Sequence, residues 1–179
     1  MNKKDIITAT LKNGASGAAV IEVGKIPFKR EFRDACEQNT CGKFGRCWMC
    51  PPDVGNIDEM LAKAKTYRHT LVFNTISKLE DSFDIEGMEK AAKNHNAVTQ
   101  TLAIELEDAF GDVLKLGAGA CHVCEHCARI ENIPCRHPKK ALASMEAYGI
   151  AVSELAGLCG LSYIGGKNTL TYFGAFLFN

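Results

Sequence analysis

Eight of the nine cysteines in this chain fall into two groups of four: Cys36, Cys41, Cys47 and Cys50, then Cys121, Cys124, Cys127 and Cys135. The second group is the more specific. Cys121-x2-Cys124-x2-Cys127 places three thiols at two-residue intervals on one tight loop. Thiolates so spaced can each take a separate iron on one face of a cubane, as in the bacterial ferredoxin run. The interval before Cys135 is longer than in that run, and Arg136 and His137 separate it from Pro138. Cys135 completes this site or, as in ferredoxins, serves the other one; the spacing leaves both open. The first group is looser, Cys36-x4-Cys41-x5-Cys47-x2-Cys50 followed by Pro51-Pro52. Gly42 and Gly45 let its backbone turn and bring amides toward inorganic sulfide.

The competing chemistry is structural zinc. All-cysteine zinc sites use two separated Cys-x2-Cys pairs, which Cys47/Cys50 and Cys121/Cys124 would supply. A third cysteine at the same interval has no work in such a tetrahedron. The spacing therefore favours two iron–sulfur clusters, expected to be of the 4Fe–4S type, over zinc. An odd total of nine, in a chain expected to be cytoplasmic, argues against a disulfide framework. Cys159, among Leu155, Leu158 and Leu161, reads as a core thiol. His122, His126 and His137 read as local hydrogen-bonding residues rather than exchanged ligands. Trp48 either shields the first site or packs in the core. Arg46, Arg136, Lys139 and Lys140 either offset cluster charge and dock an acidic partner, or form solvated surface charge.

The elements that position these residues are legible from pattern. Ala18–Val23 reads as a strand stopped by Gly24, and residues 27–52 as mostly loop with short turns. Asn56 and Glu59 form a capping-box signal for a helix to about Arg68. Thr70–Ile76 is a strand, Glu86–Phe110 a long helix ended by Gly111, and Val113–Leu116 a strand broken by Gly117-Ala118-Gly119. Pro138 opens a helix to about Tyr148 that either lines a pocket or closes over the second site; Val152–Cys159 is a further helix. Tyr163-Ile164 and Leu170–Phe173 suggest a closing hairpin. The sum is one compact α/β domain over residues 1–179 (α+β as the variant), with a mixed sheet of four to five strands. Strand, cysteine segment and helix occur twice in that order. If the first and third strands are parallel, both cysteine segments leave one end of the sheet and the sites are neighbours.

Twenty-one basic and twenty-one acidic residues leave no net charge, which argues against nucleic acid or an anionic membrane as partner. The N-terminus has no signal-peptide core, no apolar run approaches the ~20 residues of a membrane span, and there is no nucleotide-binding glycine motif. A chain of this length buries roughly 70% of its unfolded surface, so it does not need metal merely to fold.

Two separated stretches carry a family resemblance. Cys41-Gly-Lys-Phe-Gly-Arg-Cys-Trp-Met-Cys-Pro-Pro52 and Cys135-Arg-His-Pro-Lys-Lys-Ala-Leu-Ala-Ser-Met-Glu-Ala-Tyr-Gly-Ile150 resemble the "predicted metal-binding protein" family, domain of unknown function 2284. The resemblance runs from the first strand to the C-terminal segment. It implies metal binding by the cysteines and a setting in anaerobic microbes, and it assigns no reaction, so catalytic residues stay unassigned. The leading expectation is electron transfer to a redox partner protein or to a corrinoid or radical enzyme. The alternatives are a cluster enzyme with an open iron for a small substrate, and a zinc-stabilised interaction module.

Overall fold

Two ten-residue strands, β2 (His69–Lys78) and β5 (Thr169–Phe178), form the middle of the sheet in the computed structural model, which describes residues 1–179. Both are rich in β-branched and aromatic residues, which suit a pleated surface covered on both faces. The outer strands β1 (Gly17–Glu22), β3 (Leu114–Gly117) and β4 (Ala143–Ser144) complete the order β1-β2-β5-β3-β4. Every pairing is antiparallel except β3 with β4. Five α-helices accompany the sheet: α1 (Lys3–Lys12), α2 (Arg30–Glu37), α3 (Ile57–Ala64), α4 (Ile85–Phe110) and α5 (Val152–Leu158). The class is mixed α/β, as the sequence indicates.

Alternation along the central strands divides the core in two. Leu71, Phe73, Phe176 and Phe178 pack with Ile6 of α1 and with Val98, Leu102 and Leu106 of α4. Val72, Phe173, Ala175 and Leu177 pack with Met60 and Ala64 of α3 and with Leu155 and Ala156 of α5. Each large apolar side chain so buried stabilises the fold by about 1.5–3 kcal/mol. Phe73 fits because its neighbour across the strands is Gly174, where a Cβ would stand 2.4 Å from the ring's Cζ.

Several expectations are corrected. Residues 27–52 are not all loop: α2 runs through Arg30–Glu37 and carries Cys36 in its last turn. The helix after Asn56 ends at Ala64, short of Arg68, and Asn56 caps it through the amide of Asp58. No helix follows Pro138; β4 and a single 3-10 turn, Glu146–Tyr148, occupy that stretch. The cause is competition for its carbonyls. Lys115 Nζ donates to the Lys139 carbonyl and Gln100 Nε2 to the Lys140 carbonyl, so after one turn closed on the His137 carbonyl the segment is tied to β3 and α4. The closing hairpin is absent, since Thr169–Phe178 is one long strand inserted between β2 and β3. α1, which the sequence reading did not mark, starts with a capping box between Asn2 and Asp5.

The first and third strands are antiparallel, not parallel. Glu22 at the end of β1 pairs with His69, His69 with Phe178, and Leu177 with Leu114 at the start of β3. β1 therefore finishes where β3 begins, and the two cysteine segments leave opposite ends of the sheet. The one parallel pair, β3 and β4, is joined by residues 118–142, which contain the second cysteine group. Parallel neighbours always need a long crossover. Here that crossover is the cysteine loop.

Gly174→Ala drives a methyl group against the tip of the Phe73 ring, and overpacking of this kind costs about 1–3 kcal/mol. Urea denaturation of the variant is expected to show a lower midpoint at unchanged slope.

Candidate metal centre

The first cysteine segment reaches the second by turning back along the sheet's α3/α5 side. After β1, a 3-10 turn at Val23–Lys25 leads to Phe28, which bridges Ile150, while the Ala151 amide donates to the Pro27 carbonyl at 3.0 Å. Gly149 makes this approach possible. Its φ is +65°, and a Cβ there would stand 2.9 Å from the Lys29 carbonyl oxygen. α2 then begins, and its Arg33 is buried at 6% exposure. The guanidinium donates to the Ala147 carbonyl at 3.1 Å and to the Gly55 carbonyl at 2.7 Å. One cation thus fixes α2, the exit of the first cysteine loop and the 3-10 turn together. Burial holds the Arg33 pKa below its usual value, with nearby thiols and carboxylates opposing that shift.

A clasp between the loops completes the approach. Trp48 Nε1 donates to the Ile133 carbonyl at 2.9 Å, and Arg129 lies 5.1 Å over the Trp48 ring. Arg129 Nε also donates to Asp53 Oδ2 at 2.8 Å, so both partners on the first loop hold the second. Trp48 therefore does neither of its two expected jobs alone: it is half-buried and joins the loops. Gly42 and Gly45, at φ +69° and +63°, make the turns between Cys41 and Cys47.

Cys47 is the meeting point. It is 2% exposed and lines two cavities together with Cys121, Cys124 and Cys127. Cys135 joins the wall of one and Cys41 the wall of the other, which measures about 310 Å³. A hydrogen bond with the Cys50 thiol lowers the Cys47 pKa, helped by the amides of Met49 and Cys121 and by Cys127; Cys50 is pushed up correspondingly. Burial raises Cys121 despite amides of Leu142 and Val123 directed at its sulfur. Burial also raises Cys36, with Arg33 opposing it. Six of the eight thiols line these two hollows, while Cys36 and Cys50 lie outside their walls; no three His, Cys, Asp or Glu side chains are grouped as one metal ion would need.

The remaining residues sort plainly. Cys159 packs against the core, apart from the cavities, and burial raises its pKa to about 11. His122, His126 and His137 are exposed. Arg136 reaches the His126 carbonyl at 3.1 Å and Glu131 at 3.4 Å, which braces the second loop. Arg46 is exposed and lines the larger cavity. The side chains of Lys139 and Lys140 are exposed.

One residue escaped the sequence reading. His95 occupies the buried face of α4 in register with Ala91, Val98 and Leu102, and is 5% exposed. A polar residue on that apolar stripe was the available signal. Thr75 Oγ1 meets its Nδ1 at 2.9 Å, whereas its Nε2 makes no hydrogen bond of normal geometry to the protein. Burial lowers its pKa to about 4, so it is a neutral imidazole.

Comparison with known proteins adds one match. The family model described as predicted metal-binding protein (DUF2284) matches residues 19–178. The chain belongs to this family. No curated protein and no solved structure matches it. Metal binding is thus the family's predicted property, and its matched span includes every cysteine of both groups.

Two measurements follow from this geometry. Arg33→Met leaves the Ala147 and Gly55 carbonyls without their buried donor and should cost about 2–3 kcal/mol in urea denaturation. His95 binds its proton more weakly folded than unfolded. Its contribution is whole above the unfolded pKa of about 6.5 and declines as pH falls toward 4, by at most about 1.4 kcal/mol per pH unit. His95→Gln is expected to flatten the stability profile between pH 7 and pH 4.5.

Proposed function

We propose that the chain is an iron–sulfur protein whose two cysteine groups hold two clusters of the 4Fe–4S type, and that it passes electrons to a redox enzyme or to a corrinoid or radical enzyme. The observation that carries this reading is the shared wall: Cys47 of the first group lines the same cavities as Cys121, Cys124 and Cys127 of the second. Sites that share a wall are close enough for electrons to pass between them. The ligands proposed are Cys36, Cys41, Cys47 and Cys50 for one group and Cys121, Cys124, Cys127 and Cys135 for the other.

The residues fit such groups. From Ala118 to Cys127 no backbone amide donates to a backbone carbonyl, while the Cys121 amide is directed at the Cys47 sulfur and that of Val123 at the Cys121 sulfur. An amide-rich segment without oxygen acceptors suits sulfide and thiolate, which accept such bonds. When bound, clusters of this kind supply one-electron transfer. The chain's own part is to hold the thiolates, set the number of amide–sulfur bonds, and limit water through Trp48. Lys43 and Arg46 on the larger cavity place positive charge beside the thiolates. No helix is long and apolar enough to cross a membrane; the reducing cytoplasm is the compartment we propose for these thiols.

A second reading, an enzyme with an open iron, draws on a cavity that Cys121 shares with His95. Reduced protein examined by electron paramagnetic resonance separates the two readings: a shift of g-values on adding a small substrate favours the enzyme, and no shift favours the carrier.

Anaerobically purified protein is expected to be brown, to absorb broadly near ~400 nm and to contain acid-labile sulfide. Cys124→Ala should lose about half of the iron. A colourless protein with stoichiometric zinc would overturn both iron readings in favour of a zinc-stabilised module.

A further inference from the structure

A separate cavity of about 120 Å³ lies beside the second cysteine group, between α4 and the segment that leads from β3 to Cys121. Its space equals that of about four water molecules. His95 and Asn96 of α4, Ala118, Gly119 and Ala120 of the loop, and Tyr172 of β5 are among its walls. Cys121 is the one cysteine that touches it.

The lining is rich in donors and includes a second histidine, His122. The amides of Ala118, Gly119 and Ala120 donate to no backbone carbonyl. Gly119 has φ +65°, the left-handed half of the alternating backbone that makes an acceptor-binding nest. Asn96 and Tyr172, both on its walls, carry side-chain donors. No Asp, Glu, Lys or Arg lines the space. A hard cation would find no carboxylate there, whereas the loop beside it carries N–H groups that no backbone carbonyl uses. His95 adds a buried imidazole whose Nε2 makes no hydrogen bond of normal geometry to the protein, an unusual condition for a buried polar atom.

We infer that this cavity binds a compact oxygen acceptor, a carboxylate or carbonyl compound of a few heavy atoms, held by the loop amides at residues 118–120. The inference depends on the cavity and its loop, and not on which metal the cysteines hold.

Saturation-transfer NMR on the anaerobically purified full chain tests it, with acetate, acetamide and methylammonium as probes. Acetate or acetamide should give a saturable signal in the millimolar range, and methylammonium none. Acetate alone assigns a carboxylate; both acceptors together assign a carbonyl compound. Ala92→Leu, which fills the cavity from α4, should weaken acceptor binding by about tenfold or more. Asn96→Ala, which removes a donor without filling space, should weaken it also and serves if the first variant fails to fold. Metal content and far-UV circular dichroism of each variant are measured alongside. The inference is overturned if neither acceptor saturates, if methylammonium binds as well as acetate, or if folded variants bind unchanged.

Discussion

Because β1 and β3 run antiparallel, the cysteine segments leave the sheet at opposite ends, and the candidate site depends on bringing the first one back. That return is a problem of buried hydrogen bonding. The chain must pass close to residues 147–151 without stranding polar groups. Gly149 permits the close approach, and Arg33 satisfies carbonyls from two otherwise separate segments. A buried guanidinium is costly unless its donors are used, so its persistence here reflects geometry that no apolar residue could supply.

The second segment meets a different constraint. It is the crossover of the only parallel strand pair, a position helices usually fill because they satisfy their own backbone. Residues 118–127 do not. Their amides await acceptors from outside the backbone, which is why a soft-donor site and a neighbouring acceptor cavity are both coherent readings of one loop.

Much of the sheet was legible in the sequence. β2 and α4 carry long, consistent periodicity, and Gly111 ends α4 at φ +78° as a C-terminal glycine should. What escaped is what long-range contacts decide. α2, Arg-Glu-Phe-Arg-Asp-Ala-Cys-Glu, has few apolar residues and depends on Arg33 reaching distant carbonyls. The stretch after Pro138 has a helix signal that bonds from Lys115 and Gln100 override. Cysteine type and spacing marked the candidate site. That the two groups are neighbours was anticipated from parallel strands, and the structure brings them together by another route, through α2 and the Trp48–Arg129–Asp53 clasp.

That clasp also bears on assembly. Trp48 and Asp53 belong to one loop, Arg129 and Ile133 to the other, and each loop surrenders conformational entropy when it becomes ordered. Whatever orders one loop holds part of its partner in place beforehand. By linkage the effect is reciprocal. Order in the two cysteine loops is therefore coupled, and loosening one loosens the other.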